Sequence, residues 1–314
     1  MKLLRTARVK LEKSDALVAS IISYTKAYNH VCEIGFADSD YNGISLHHKT
    51  YKYCRETFGL PSQLTISART KAAESLKGIR ALKKNGRKIS CPKSKFCSIR
   101  LDQNSYSLFL DRGEASISTV KGRLKFKLHI SDNYKSLFSD WKYTSADLKI
   151  DLRGQPWLHI VFEKDIEDAK VNPNGKIIGI DRGIKKLAVT SEGQFFGGGK
   201  VKQYKKRISR LRSNLQVCGT RFAKRHLKRL SLRERRFMAD VNHCIAKQIV
   251  SQCNLGDTIV LEKLTGIRNS ANRWRKEQRA EVNSWAFAQL ETFITYKAQA
   301  KSINIEYIDA SIYE

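Results

Sequence analysis

The chain has 314 residues, of which 59 are Lys or Arg and 30 are Asp or Glu, so its formal net charge is +29. Because 41% of the residues are hydrophobic, this charge indicates a folded basic protein and argues against a disordered basic tail. Such a charge favours a polyanionic partner, above all nucleic acid. No stretch approaches the roughly 18 apolar residues of a membrane span, and the N-terminus does not resemble a signal peptide. We expect a cytoplasmic or nucleoid-associated protein with no membrane partner.

The seven cysteines are odd in number and scattered along the chain. Structural zinc sites usually pair cysteines two to four residues apart, and no pair here has C-x-x-C spacing. Cys91 and Cys97 in "CPKSKFC" are too far apart for such a pair. We therefore expect reduced thiols that mostly pack in the interior, and no zinc site within this chain.

The N-terminal half predicts helices followed by strands. After a short first strand, apolar residues recur every three or four positions, as they do from Leu17 to Tyr28, which predicts amphipathic helices up to about residue 90. From about 91 to 170 the period becomes two, in "SIRLDQNSYSLFLD", "ASISTVKGRLKFKLHI" and "WLHIVFEKD". This second pattern predicts an antiparallel sheet or a small barrel.

A different architecture begins after the turn residues Pro173, Asn174 and Gly175. "KIIGID", "KLAVTS" and "QFFGGG" predict three short strands, and "DTIVLEKL" and "NIEYID" predict two more. A basic stretch and an amphipathic helix precede the fourth strand, and a second helix over about 281–301 precedes the fifth. This order of elements is typical of an α/β domain of the ribonuclease-H-like class.

Two acids end strands of this predicted sheet. Asp181 follows "KIIGI" and Glu262 follows "TIVL". In a ribonuclease-H-like sheet these two strands are parallel neighbours, and reactive groups lie beyond the carboxyl ends of such strands. Mg²⁺ prefers oxygen ligands such as paired carboxylates. Two Mg²⁺ ions held about 4 Å apart can promote the hydrolysis of a phosphodiester. The pattern predicts a magnesium-dependent nuclease site.

An actin-like ATPase is an alternative, because those proteins open with a similar Gly-Ile-Asp-x-Gly turn. They follow the turn with small hydroxyl residues that contact phosphate, whereas this chain has Ile184, Lys185 and Lys186 there. The later "GGGK" lacks the acid that would precede a second phosphate loop, so it is weak support for nucleotide binding.

"GIDRGIKKLAVTSEG" resembles the first RuvC motif of the TnpB family, and "IVLEKLTGIR" resembles the second. TnpB proteins are transposon-encoded nucleases related to the type V CRISPR effectors. Similar stretches are "CPKSKFCSIRLDQNSYSLF", "RFAKRHLKRLSLRERRFMADVNHCIAKQIV" and "NSWAFAQLETFITYKA", so the resemblance covers nearly the whole chain. It implies an RNA-guided DNA endonuclease of a prokaryotic mobile element, with guide RNA and target DNA as partners and no small-molecule substrate.

The resemblance also implies the domain layout. Residues 1–10 would be the first strand of a wedge-like antiparallel β-barrel, 11–90 a helical recognition lobe, and 91–172 the rest of the barrel. Residues 173–314 would be a RuvC domain with a basic helical insertion over about 200–236. Asp181 and Glu262 would take the roles of the first and second metal ligands.

The resemblance departs from the family at the end. The family continues into a Thr-Ser-x-x-Cys stretch, a four-cysteine zinc ribbon and a helix with a third catalytic aspartate. Here the sequence ends with "IEYIDASIYE", and Asp309 is a poor substitute because it ends a strand. The resemblance therefore implies a truncated RuvC domain that lacks its last helix, an incomplete two-ion Mg²⁺ site and impaired cleavage. The alternative is a non-cleaving RNA-guided DNA-binding protein or repressor.

Residues 200–236 contain fifteen Lys or Arg and one acid, Glu234. Regular apolar residues predict a helical hairpin that holds this charge on a rigid surface, although a run of charges is often only a solvated helix face.

A polar segment, 268–279, surrounds Trp274 and could form a lid, with Trp274 stacked on a base or on its own domain. For Asn242 and His243 we expect structural hydrogen bonds. The expected nucleic-acid contacts are Lys205, Lys206, Arg207, Arg210, Lys224, Arg225, Lys228, Arg229, Arg273, Trp274 and Arg275.

Overall fold

The computed structural model describes residues 1–151, 153–169, 172–264 and 285–309, together with residues 275, 279, 282 and 283. The chain divides into two compact units, Lys2–Asp165 and Ile166–Glu314, and Met1 belongs to the second. Within the described ranges, no helix has the length and apolar character needed to cross a membrane.

The first unit is built on a seven-stranded antiparallel sheet that nearly closes on itself. Its strands are β1 (Lys2–Leu11), β2 (Ile99–Leu101), β3 (Tyr106–Phe109), β4 (Glu114–Thr119), β5 (Gly122–His129), β6 (Lys142–Ile150) and β7 (Pro156–Asp165). They are ordered β2-β6-β7-β1-β5-β4-β3. The rings of Tyr106 in β3 and Tyr143 in β6 meet edge to face at 5.6 Å, so the two ends of the sheet come together.

Helices cover this sheet and share its core. They are α1 (Asp15–Ala37), α2 (Gly43–Phe58), α3 (Ser62–Lys84) and the short α4 (Asp132–Leu137). Leu17, Ile21 and Tyr24 on α1 are almost fully buried, as their helical spacing predicts. The Asn42 side chain accepts a hydrogen bond from the Ile44 amide and begins α2. One hydrophobic cluster joins the sheet to α1, α2 and α3.

β6 is not among the strands predicted from the sequence. The strand pairs with β7 along its length, but the register shifts between Tyr143 and Ser145. A bulge of this kind breaks the alternation of apolar and polar side chains. The local pattern of period two therefore fails at a strand that the tertiary structure nevertheless requires.

The second unit is a five-stranded sheet with helices. Its elements are β8 (Ile177–Asp181), β9 (Lys186–Thr190), β10 (Phe195–Gly197), α5 (Gly199–Cys218), α6 (Arg221–Ser251), β11 (Thr258–Glu262), α7 (Phe287–Gln299) and β12 (Asn304–Ile308). The strands are ordered β10-β9-β8-β11-β12. β11 pairs in parallel with β8 on one side and β12 on the other, and β9 runs antiparallel to both β8 and β10. The five predicted strands and the parallel pairing of the first with the fourth are confirmed.

One face of this sheet packs against α6 and α7. Ile180 in β8 and Leu261 in β11 are buried in a cluster with Ile249 of α6 and Leu290 of α7. The helix predicted over about 281–301 begins later, at Phe287. Since residues alternate across a strand, the neighbours of Ile180 and Leu261 along each strand lie on the other face.

Helices α5 and α6 form the predicted hairpin. Arg212 on α5 donates to Glu234 on α6 at 2.5 Å, and the rings of Tyr204 and Phe237 stack at 4.0 Å. Phe222 is one of the apolar residues of the 200–236 stretch, but it does not pack inside the hairpin, because its side chain is 78% exposed. Phe222 lies in the first turn of α6, at the tip of the hairpin.

Candidate active site

The two acids named from the sequence lie at neighbouring strand ends. The pairing of β8 with β11 ends with Ile180 opposite Leu261, so Asp181 and Glu262 each follow the last residue that pairs these two strands. Both acids alternate with buried residues and therefore face away from α6 and α7. The sheet brings together two carboxylates that are far apart in the sequence.

Both acids line one open groove of about 500 Å³. Its other lining residues come from β8, β9, β11 and β12, and from the residue that follows β9. Asp181 is exposed and Glu262 is half-buried, so a solvent-borne substrate can reach both carboxylates. The remaining lining residues are Gly179, Ile180, Val189, Thr190, Ser191, Val260 and Ile308.

Glycines allow close packing of the turn that follows Asp181. A Cβ atom on Gly198 would lie 2.8 Å from the carbonyl oxygens of both Ile184 and Lys185. The Gly198 amide also donates to the Lys185 carbonyl at 2.9 Å. Gly198 belongs to the "GGGK" cluster, and its close approach to the turn explains a glycine there without any bound phosphate.

Arg182 joins the two acid-bearing strands to α7. Its side chain is fully buried, and it donates to the Glu291 carboxylate at 2.6 Å and to the Phe287 carbonyl at 3.4 Å. It also donates to the main-chain carbonyl of Glu262. The residue next to one acid therefore holds the backbone of the other. The sequence gives no sign of this role, because no local pattern marks the partners of Arg182.

Asn242 and His243 have structural contacts. The buried Asn242 amide donates to Gln289 at 2.9 Å and to the Ala286 carbonyl at 3.3 Å, which ties α6 to the start of α7. The His243 ring stacks on Phe293 with centroids 3.7 Å apart. Burial lowers the pKa of His243 below its ordinary value. Asn242 thus makes the structural hydrogen bonds expected from the sequence, and the His243 Nδ1 lies within hydrogen-bond distance, 3.3 Å, of the Tyr296 hydroxyl.

Asp309 follows the last strand and does not line the groove. Its carboxylate lies 3.8 Å from the Lys263 ammonium, and both side chains are more than half exposed. Among the residues that the structure describes, no three or more His, Cys, Asp or Glu side chains lie together as a candidate metal cluster. The described groove therefore offers two carboxylates.

The expected nucleic-acid contacts are mainly on the α5–α6 hairpin. Lys205 is half-buried, and the other seven hairpin cations are exposed: Lys206, Arg207, Arg210, Lys224, Arg225, Lys228 and Arg229. Arg275 is also exposed, whereas Arg273, Trp274 and most of the proposed lid lie outside the described residues. The hairpin carries its positive charge on an accessible surface.

Comparison with known proteins supports the resemblance. Residues 159–280, which include both acids, match the family model OrfB_IS605, described as a probable transposase. A TnpB-like protein of Methanocaldococcus jannaschii is 35% identical over 86 residues. That match covers 27% of this chain and 31% of the archaeal relative, so the chain spans less than a third of that relative's length.

One solved structure shares the fold. The chain matches the protein of a cryo-EM structure titled as the Cas12f1-sgRNA-target DNA complex, with a TM-score of 0.64 and 14% identity. This match covers 94% of our chain and 73% of the other. A second structure, titled as a CRISPR-Cas12f ternary complex, is less similar, with a TM-score of 0.38 at 14% identity over 94% of our chain and 72% of the other. The family match over residues 159–280, the archaeal relative and the shared fold together confirm the predicted resemblance to the TnpB family.

Proposed function

We propose that this chain is an RNA-guided DNA endonuclease of the TnpB type, with a RuvC site at Asp181 and Glu262. The observation that carries the proposal is the geometry of the two acids. They come from adjacent parallel strands, lie at the same edge of the sheet and line one open groove. Two carboxylates so placed repel each other in the absence of a cation, so the arrangement favours a metal ligand pair.

The donor set fits Mg²⁺. This ion prefers oxygen ligands, and it is usually held by one or two carboxylates while water and substrate phosphates complete its coordination. When bound, Mg²⁺ activates a water molecule and stabilises negative charge on phosphoryl oxygens. Asp181 and Glu262 supply enough carboxylates for one ion. A two-ion site needs a further donor from outside the residues that the structure describes.

The partners we propose are a guide RNA and a target DNA. The matched structure of similar fold is titled as a complex with an sgRNA and a target DNA, which supports this choice by analogy. The hairpin cations would contact phosphates, since Lys and Arg release counterions when they bind a nucleic-acid backbone.

On this proposal the first unit contains the recognition lobe and the wedge barrel, and the second is the nuclease domain. The mobile-element origin is part of the same proposal.

A non-cleaving RNA-guided DNA-binding protein is the second candidate. The observation that favours it is the number of acids, because the described groove contains two carboxylates and Asp309 lies outside its lining. Loss of one of several metal carboxylates leaves an ion poorly positioned and removes most of the activity. The two candidates share the same partners and differ in whether the target strand is cut.

Cleavage of a guide-matched DNA duplex, with and without Mg²⁺, tests the proposal. We expect Mg²⁺-dependent cutting by the unmodified chain and at least a ~100-fold loss in Asp181→Asn, with binding of guide and target retained. Asp309→Asn is the matched control, because it removes an exposed acid next to the sheet but outside the groove. Tight binding without cutting would favour the second candidate. Cutting that survives in Asp181→Asn would contradict the assignment of the site.

A further inference from the structure

An aromatic pocket opens in the barrel of the first unit, and neither of the acids described above belongs to its lining. Its volume is about 460 Å³, and we call it the barrel pocket. Phe138 and Phe162 stack at 4.1 Å with an angle of 14° between their rings, and both are almost fully buried. Trp141, Tyr143 and the 38%-exposed Phe109 are also part of the lining. The pocket offers aromatic surfaces that a flat ligand can reach.

The charged groups of the barrel pocket are mostly cationic. Arg112 and Lys135 belong to its lining, together with one acid, Asp111. The Arg112 guanidinium lies 6.0 Å from the centre of the Phe109 ring. A second guanidinium, that of Arg5, lies 5.3 Å from the centre of the Trp141 ring. Positive charge therefore lies next to two of the aromatic rings, although the exposed Asp132 lies 3.7 Å from Lys135, and this arrangement suits an anion attached to a flat ring.

A buried polar group lies behind the lining. Tyr106 is 1% exposed, and its hydroxyl has no hydrogen-bond partner in the part of the chain that the structure describes. Its ring contacts that of Tyr143, a lining residue. Buried hydroxyl groups are normally hydrogen-bonded, so this unpartnered hydroxyl, on a ring that contacts the lining, is unusual. Pockets of several hundred Å³ with apolar walls and a few polar groups are the usual form of ligand sites, and barrel mouths often contain them.

We propose that the barrel pocket binds one unpaired nucleobase of a nucleic-acid strand, with an adjacent phosphate on Arg112 and Lys135. Aromatic side chains stack on every base because each base has a π face, and nearby cations hold the backbone. The charge of +29 favours this occupant over an apolar peptide, which would not use the cations. This inference rests on the nucleic-acid partner of the proposed function but not on cleavage.

The test compares two single-stranded 12-mers with the same number of phosphates. One is fluorescein-labelled oligo-dT and the other contains abasic sites in place of the bases. Binding of each to the full chain is followed by anisotropy in EDTA, so that no metal chemistry contributes. We expect Trp141→Leu to weaken binding of the base-bearing strand about fivefold or more, and to change binding of the abasic strand less than about twofold.

Trp157→Leu is the matched control on the same barrel. Trp157 lies 3.8 Å from the Arg8 guanidinium and does not line the pocket. Its replacement should leave the preference for bases unchanged. Phe109→Ala is a second pocket variant, and its 38% exposure limits any effect on folding. It should reproduce the selective loss, with circular dichroism confirming that each variant is folded.

Three results would overturn the inference. The first is an equal loss of affinity for the base-bearing and the abasic 12-mer in the pocket variants, which would indicate a charge effect. The second is a selective loss of affinity for the base-bearing strand in Trp157→Leu as large as in Trp141→Leu, which would indicate a general stacking surface. The third is unchanged binding in both pocket variants, as expected if an apolar protein segment fills the pocket. Since the measurement needs no metal and can be repeated with Asp181→Asn, its failure is separate from failure of the nuclease proposal.

Discussion

Glu291→Gln tests the Arg182 contacts beside the candidate active site. The substitution keeps the size of the side chain and removes the negative charge that Arg182 binds at 2.6 Å. Arg182 would then keep its hydrogen bonds to the Phe287 and Glu262 carbonyls without a counter-charge. Its Nε atom, buried and without a partner in the described structure, offers no compensation.

The expected loss of stability follows from burial. The Arg182 side chain is 0% exposed and that of Glu291 is 31% exposed. Removing one partner of a buried ion pair costs about 3–5 kcal/mol, because the other charge remains desolvated. Water already reaches Glu291, so we expect the lower end of that range, about 3 kcal/mol. Because Arg182 binds the Glu262 carbonyl, the loss should loosen β11 as well as α7.

Hydrogen exchange measured by mass spectrometry on peptides from β11 and α7 provides the assay, since it reports the free energy of opening for each segment. Glu234→Gln is the matched control, because its partner Arg212 lies at a similar 2.5 Å but is 42% exposed. An exposed pair contributes about 0–1 kcal/mol. Unchanged hydrogen-exchange protection of β11 and α7 in Glu291→Gln would refute the argument from burial. So would a loss of protection around Glu234 in Glu234→Gln as large as the loss at β11 and α7 in Glu291→Gln.

Three further predictions concern packing, charge and pH. Gly198→Ala should destabilise the second unit by about 1–3 kcal/mol in urea unfolding, whereas Gly197→Ala, where a Cβ meets nothing within 4 Å, should avoid this clash. Arg210→Ala should lower the log-log salt slope of duplex-DNA binding by about 0.9, and an unchanged slope would remove this residue from the interface. A bidentate hydrogen bond from Arg100 lowers the pKa of Glu74 below 4.5, so the stabilisation is present above about pH 4.5 and is lost as the pH falls. The difference in stability between the unmodified chain and Glu74→Gln should therefore be small at pH 7, below about 1 kcal/mol for this exposed pair, and should shrink as the pH is lowered through the acid range.

Much of the second unit was predictable from short stretches of sequence. Strands such as "KIIGID" and "DTIVLEKL" are apolar runs bounded by turn residues, and both the run and its end are local properties. The positions of Asp181 and Glu262 at strand ends follow from the same local patterns. The order of elements then predicted which strands pair, and the parallel pairing of β8 with β11 confirmed it.

Other features depended on contacts between distant residues. Nothing near Arg182 in the sequence marks Glu291 as its partner, because the pair forms only after α7 packs against the sheet. The bulge in β6 interrupts the alternation of apolar and polar residues, so a search for period two does not detect that strand. The barrel pocket likewise needs the closure of the sheet, which brings Phe109 of β3 and Phe162 of β7 into one lining.

The sequence by itself determined the basic character of the chain, most of its strands and helices, the two candidate metal ligands and the family resemblance. These properties reside in composition, in local periodicity and in short motifs, which do not depend on long-range packing. The tertiary structure alone decided which groove the two acids share, what holds their strands together and where aromatic rings enclose a cavity. Those properties arise from side chains that meet only when distant segments pack, so no local pattern encodes them.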